Sequence, residues 1–589
     1  MCKKTTISAY KNSTSNLRKH VERRHPSGLK AFSDCVATRK RTLEPPETPT
    51  KQAKLGDMMA AGAGRRVPQA KVDKLVISFI CDGLHPFSVV EQPAFKDLII
   101  TLNPQCHVIS RPTLRTRIEK AANQMKKNFS KVSYVGTTTD CWTAHQQSFL
   151  GITVHWIDEE TLERQSAALA CKRLKGSHTF DVLAAAIDDI HCQYKIGGKV
   201  VRTTTDSGSN FIKAFTVFGE HSQDPEESES DQDSSEAPDT NHLVDTFNIL
   251  QEDNGLEFQL PPHQRCACHL LNRIATTDAA VAEEKNGTYK RLTRSSFAKC
   301  QGMWNKSGRS YMAAEIVQDQ CQLQLIRPNQ TRWNSTYMAI ERILRIIEEK
   351  GEEAIRNVCE EFIVKMLSSA EIAFLTQYHN VMTPLVKALN ILQSETNTHM
   401  GWLLPVIFQL QAKLSNLETS SKICLPLIRA IQDGVSKRFG QMMEDPELIA
   451  AAILLPKFKT NWTEKADVIE AGLTYVRQQA DRMAEVAEHV GQNSSDEEDF
   501  FTSMKARRSQ GTGELDRYLA CISNKMDLLN SFPHIKKLAL KLNTGLPASA
   551  ACERLFSCAG LLFTPKRARI DSNNFEKQLL LKLNRKFRE

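Results

Sequence analysis

The chain has 589 residues, with 77 Lys and Arg against 68 Asp and Glu, a formal net charge of +9 and 16 cysteines. That length holds several domains and at least one large core, and the modest charge becomes informative only through its distribution, basic near both ends and acidic in two internal runs. The scattered cysteines and the lack of a visible secretory signal exclude a disulfide-stapled secreted class and suit cytosol or nucleus, and no apolar run is long enough to span a bilayer.

In chain order, the first segment places His20 and His25 at H-x₄-H spacing on an expected helix, so that both imidazoles face one side. Arg18, Lys19, Arg23 and Arg24 then become candidates for phosphate or base contacts. This stretch resembles the second half of a BED-type zinc finger, with Cys2 as the nearby thiol. The family pattern has C-x₂-C, whose first cysteine would fall before Met1, so the expectation is a partial finger (1–30) with an incomplete Zn²⁺ site of Cys2, His20 and His25. The alternative is a basic helix with incidental histidines. Residues 31–67 are rich in Pro, Thr, Lys and Gly without periodicity and read as a linker, in which Arg39-Lys-Arg41 is a weak import signal. Helical patterning returns over 68–131, with apolar groups Leu75, Ile77, Phe79, Ile80 and Phe95, Leu98, Ile99, Leu102, and the repeat Leu114, Ile118, Ala121, Met125. Arg111, Arg115, Arg117 and Lys120 are equally placed for DNA or for solvent.

The stretch Val132–Thr143 is rich in β-formers and reads as a buried strand ending on Asp140. Strand character recurs at Phe149–Ile157 and Ser166–Leu174; a helix is expected over Thr179–Tyr194, and a strand Lys199–Thr205 ends on Asp206. In open sheets with parallel pairs, functional groups gather outside the carboxyl ends of strands. Two carboxylates 4 Å apart repel by roughly 4 kcal/mol at an effective dielectric near 20, and a divalent cation removes that repulsion. The competing reading is an Asp at a strand end serving only as a turn or helix cap. Residues 220–240 are Ser-, Asp- and Glu-rich and read as a disordered insert; Phe258–Cys268 reads as a fifth strand, followed by a helix from His269.

Three motifs occur in order: Thr138-Thr-Asp140-Cys-Trp-Thr143, Thr204-Thr-Asp206-Ser-Gly-Ser-Asn210 and Ser549-Ala-Ala-Cys-Glu553-Arg-Leu-Phe-Ser557. Together they resemble the acidic signatures of the hAT superfamily of cut-and-paste DNA transposases, and within it the Tol-type transposases of fish. The resemblance implies an RNase H-like α/β catalytic core interrupted by a large all-α insertion domain, preceded by the partial BED finger and a small helical DNA-binding or dimerisation domain. It divides the core into 132–275 and 547–589, with the insertion at 276–546. It implies that Asp140, Asp206 and Glu553 bind Mg²⁺ or Mn²⁺ and carry catalysis. Cys266 and His269 match a family motif, for which a structural or DNA-contacting role is preferred to zinc. Double-stranded DNA, in transposon ends and target, is the implied partner, the implied state is a homo-oligomer without membrane association, and the implied location is the nucleus.

Beyond the fifth strand the periodicity is helical, for example at Ile340–Glu352, Ala370–Gln393 and Glu447–Leu455. Within it Pro328-Asn-Gln-Thr-Arg332-Trp333 offers an indole beside a guanidinium, which could hold a flipped base; packing in a helical core is the alternative. A second acidic tract, 494–499, reads as a mobile loop. A helix is expected over Ala548–Leu562, carrying Glu553, and Pro565-Lys-Arg-Ala-Arg569 is basic enough to grip DNA or an import receptor. Phe575–Phe587 is amphipathic; the resemblance implies protomer association, and packing on its own domain is the alternative. The reading is therefore a transposase that cuts DNA, forms hairpins on the flanks and joins 3′ ends to a target. The alternative is a domesticated, non-cleaving DNA-binding regulator.

Overall fold

The computed structural model describes residues 15–33, 67–125, 128–219, 259–329, 333–490, 510–564, 567 and 570–587. They fall in two units, 1–69 and 70–589. The first unit contributes helix α1 (Ser15–Arg24). Most of the expected linker, both acidic tracts, Cys2, Arg332 and four of the five residues 565–569 lie outside the described residues.

In the second unit, helices α2 (Gln69–Asp82), α3 (Pro93–Leu102) and α4 (Arg111–Met125) pack through Val72, Val76, Ile80, Leu114 and Ile118. The expected face of α2 is corrected here: Leu75 and Phe79 are 58% and 46% exposed, while Val72 and Val76 are buried. So many residues of α2 are apolar that the 3.6-residue period fits more than one stripe, and the neighbours decide which is covered. Arg117 is also corrected. It pairs at 2.5 Å with the buried Asp73, holding α4 to α2 rather than pointing at a ligand.

The sheet follows, with β1 (Val135–Ala144), β2 (Gln147–Ile157), β3 (Arg164–Leu174), helix α5 (Phe180–Tyr194), β4 (Val200–Thr205), α6 (Ser209–Phe218) and β5 (His263–Arg265). Strand order is β3-β2-β1-β4-β5. The first three strands are antiparallel, whereas β4 and β5 run parallel to β1. Strand β2 is buried along nearly its whole length, as a strand covered on both faces must be. Leu150, Ile152 and Val154 meet α5 and α6 through Leu183, Ile187, Phe211 and Phe215. On the opposite face Phe149 meets the helices that close the chain.

After β5 the chain is helical: α7 (Ala267–Arg273), α8 (Ala279–Lys285), α9 (Gly287–Ser307), α10 (Tyr311–Cys321), α11 (Trp333–Lys350), α12 (Glu352–Glu361), α13 (Ser369–Leu392), α14 (Leu403–Leu417), α15 (Leu425–Glu444), α16 (Pro446–Ile453), α17 (Ala466–Val490), α18 (Gln510–Ala520) and α19 (Pro533–Asn543). One core running from Ala267 to Ile453 holds most of these helices, and a second, around Tyr518, Ile535 and Leu538, gathers α16 to α19. The start of α7 at Ala267 shortens the expected fifth strand to three residues. Among the described residues no helix is long and apolar enough to cross a membrane.

The chain returns to the sheet through α20 (Ala550–Leu562) and α21 (Ser572–Leu583). Phe575, Leu579 and Leu581 are buried against β3 and the α2–α4 unit, the packing alternative considered for Phe575–Phe587. The Asn584 amide accepts from Ala168 N–H and donates to Ala168 C=O, and Glu576 accepts from Cys171 N–H. These side chains occupy backbone groups along β3 that would otherwise template another strand. Arg567 is likewise turned inward, donating to the Leu84 carbonyl and to Gln578.

Candidate active site

Threonines fix the register of the central strands. Thr137 and Thr203 share a hydroxyl hydrogen bond of 2.7 Å on the face of β1 and β4 that packs on α5. Thr138 bonds Thr153 at 2.6 Å on the other face, and Thr153 bonds His155 at 2.8 Å. Side chains alternate along a strand, so Asp140 shares the face of Thr138. The last rung between β1 and β4 is Thr138 with Thr204, and two further residues along both chains are Asp140 and Asp206.

Asp140 does not end its strand. β1 stays paired with β2 as far as Ala144 opposite Gln147, while β4 stops at Thr205. The carboxylate therefore stands where its parallel neighbour turns away, which opens that side of the strand. Each Asp is oriented by one backbone N–H, Asp140 by Cys141 at 2.8 Å and Asp206 by Gly208 at 3.1 Å. Residue 208 suits glycine, since a Cβ there would lie 3.1 Å from Asp206 Oδ1. The turn role considered for Asp206 is thus real, and it leaves the other carboxylate oxygen available.

Glu553 arrives in the first turn of α20. The preceding residue, Cys552, seats the helix on the sheet. Its thiol donates to the Thr138 carbonyl at 3.2 Å and lies 3.3 Å from Thr138 Oγ1. Close approach needs Gly151, the residue of β2 opposite Asp140, because a Cβ there would fall 2.6 Å from the Phe556 ring. Trp142 stacks on the same ring at 5.6 Å between centroids. The incoming segment is pinned as well: Thr204 donates to Leu546 C=O, Ala267 N–H to Pro547 C=O, and Ser549 N–H to the Cys266 sulfur.

Burial first, then the neighbouring Asp206, hold the Asp140 carboxyl well above the usual carboxylate range; Glu553 and Cys266 add to the same effect. Asp140, Asp206 and Glu553 therefore share one electrostatic neighbourhood. Among the described residues no cation pairs with Asp140 or Asp206, and no three His, Cys, Asp or Glu side chains converge closely enough to hold an ion as they stand. Two aspartates with no cation paired to them offer hard oxygen donors that suit a divalent cation, which would draw the carboxylates together.

This geometry has a consequence for stability. The folded chain keeps the Asp140 proton at pH values where the unfolded chain has released it, so stability falls as pH rises from the ordinary carboxylate range through the raised pKa. Asp140→Asn removes that cost. The variant is expected to be more stable than the parent at pH 7 by about 0.5–2 kcal/mol, the gain typical of relieving a strained functional position. The difference should vanish at pH values below the carboxylate range. Urea unfolding at the two pH values measures it, and a variant less stable at pH 7 contradicts the reading.

The remaining candidate residues are distributed less simply. Cys266 is 4% exposed and its thiol is used internally, accepting from Ser549 N–H, which fits the structural one of the two roles expected for it. A hydrogen bond from Cys268, with further ones from Ser549 and the His269 N–H, pulls that thiol down to about 6 against the effect of burial. His269 is half-buried on the first turn of α7. Arg115 is exposed on α4. Trp333 opens α11, but its side chain lies outside the described residues, as does all of Arg332.

In the first unit His20 lies on α1 whereas His25 falls just beyond the helix end, so the expected H-x₄-H is not carried wholly by helix. Their rings are nonetheless 5.5 Å apart between centroids, and His20 Nε2 is buried without a hydrogen-bond partner. Lys19 and Arg23 are exposed, Arg18 pairs with Glu22 at 3.2 Å, and the Arg24 side chain lies outside the described residues.

One group that motif reading missed is Arg164, at the start of β3. Its guanidinium donates to the carbonyls of Asn543 at 2.5 Å and Thr544 at 2.7 Å, and to His399 Nδ1 at 2.9 Å. Burial pushes it down to about 9, still charged at neutral pH, and pushes His399 well below its usual range so that the ring accepts. Asn543 is itself locked, accepting from Gly401 N–H and donating to Ala451 C=O. The clamp fixes the end of α19, ten residues before Glu553.

Residues 138–229, which include both aspartates, match the family of the ZBED1 RNase-like domain. A Zea mays protein described as an AC9 transposase is 27% identical over 289 residues, 47% of this chain and 30% of that protein. A Zea mays AC transposase is 27% identical over 270 residues, 44% of this chain and 29% of that protein. A Talaromyces stipitatus protein described as the transcriptional regulator tpeD is 26% identical over 144 residues, 23% of this chain and 17% of that protein. The chain thus spans less than a third of the length of these curated relatives. The matches support kinship with hAT-type transposases and an RNase-like domain built on the mixed sheet.

Proposed function

We propose that the chain is a hAT-type DNA transposase of the Tol-like kind, which binds transposon ends, cleaves DNA with hairpin formation on the flanks, and joins the freed 3′ ends to target DNA. The observation that carries this reading is the placement of Asp140 and Asp206 each two residues beyond the last β1–β4 rung, with Glu553 brought in on the first turn of a helix that Cys552 seats on Thr138. These three would hold Mg²⁺ or Mn²⁺, which when bound supplies activation of the attacking oxygen and stabilises charge at phosphorus. The protein's own part is positional. The Thr138–Cys552 contact sets the height of Glu553 above the strands, and the paired N–H groups orient the two aspartates.

Arg332 and Trp333 would hold a base near the cut, since a strand turning into a hairpin must unstack one. Exposed Lys19, Arg23 and Arg115 are suited to phosphates, and the paired imidazoles His20 and His25 to zinc with Cys2. On this reading the protein acts in the nucleus, as an assembly of more than one copy. A second reading, a non-cleaving DNA-binding regulator, is favoured by the similarity to a protein described as a transcriptional regulator. Incubation of the full chain with Mn²⁺ and DNA bearing a Tol-type element end separates the two. Excision with hairpinned flanks supports the transposase; binding without cleavage supports the regulator.

A further inference from the structure

At the opposite end of the sheet from the three carboxylates lies a cavity of about 480 Å³. Its walls come from the start of β4, from α16 and α17, and from the end of α19. Four cations line it, Lys199, Arg202, Arg482 and Lys541, against one carboxylate, Glu447, with Tyr475 beside them. That carboxylate is already engaged. It pairs with Arg202 at 2.6 Å and accepts from the Tyr475 hydroxyl at 3.3 Å. Lys199 donates to the Phe129 carbonyl at 3.1 Å. Among the described residues neither Arg482 nor Lys541 forms an ion pair. Like charges gathered around one hollow from separate elements repel, a cost that a bound anion would offset.

We propose that this cavity binds a small polyphosphate anion, of the class of a nucleoside triphosphate or an inorganic polyphosphate. Guanidinium and ammonium groups are the side chains that recognise phosphate oxygens, Arg by paired N–H donors and Lys as a point charge. The volume falls within the roughly 300–1,000 Å³ of small-ligand sites, and a recess of that size does not admit a duplex. It is also separate from the acids: Arg202, the lining residue of β4 nearest to Asp206 along the chain, precedes it by four residues, about 13 Å at ~3.3 Å per residue. A bound anion would nevertheless be felt there, because Gly545 lines the cavity and lies in the segment whose carbonyls Arg164 clamps before Glu553. The proposal is independent of the transposase reading.

Calorimetric titration of the full chain in EDTA, which keeps divalent cations from the carboxylates, tests it with two probes, ATP and inorganic tripolyphosphate. Saturable binding of at least one is expected, weakened at least tenfold in Arg482→Gln and in Lys541→Gln while their circular dichroism matches the parent. Tighter ATP identifies a nucleotide site, and equal affinities an inorganic one; either supports the shared chemistry. Absence of saturable binding by both probes, or affinities unchanged in both variants, overturns it. So does a DNA duplex that displaces the probe and loses affinity in the same variants, which would make the cavity part of a backbone-binding groove.

Discussion

Asp206→Asn is expected to abolish strand cleavage while leaving DNA binding within a factor of about two of the parent. Loss of an outer-shell partner of a metal ligand typically costs 10–100-fold, so a ligand itself should cost at least about 10³-fold. The same result is expected for Asp140→Asn and Glu553→Gln, since each removes one formal charge without changing shape. Gel-shift and cleavage measured on the same preparation provide the comparison. The three variants should differ in stability even though they share inactivity. Asp140→Asn relieves a buried, repelled carboxylate, and the stability it gains is the difference expected.

Arg164→Ala is expected to destabilise the chain by about 3–5 kcal/mol, because it strips donors from the buried carbonyls of Asn543 and Thr544, each worth roughly 1–3 kcal/mol when orphaned. Urea unfolding measures that. Arg164→Lys keeps the charge and loses the planar fork, so it should be milder in stability. Well below its melting temperature the lysine variant should still bind DNA yet cleave more slowly and bind Mn²⁺ more weakly, because the lead-in to Glu553 has loosened. A lysine variant with parental cleavage and Mn²⁺ affinity would leave Arg164 a purely structural clamp.

What could be read from residue order and what could not differ for physical reasons. The succession of three strands, a helix and a fourth strand follows from runs of β-formers such as Thr137–Thr139 and from the apolar length of β2, which only a two-sided burial accommodates. The end of β1 did not follow. Whether Asp140 closes a strand or stands inside it depends on which neighbour continues, and β2 continues while β4 leaves. Motif resemblance singled out Glu553; the contact that seats it, Cys552 on Thr138, spans 414 residues, and no local pattern encodes such a pair. Arg164 was invisible for the same reason, with partners 379 and 380 residues away. An amphipathic segment such as α21 announces that one face is covered without saying by what. Here β3 and the α2–α4 unit cover it.

The central claim is that Asp140, Asp206 and Glu553 form one metal site, and binding of Mn²⁺ followed by electron paramagnetic resonance tests it most directly. Titrating the parent and the three single-carboxylate variants at equal concentration should show a saturable bound signal in the parent that is lost or weakened at least tenfold in every variant. Parental Mn²⁺ binding by Glu553→Gln would contradict the account, since the helix carboxylate would then stand apart from the two aspartates.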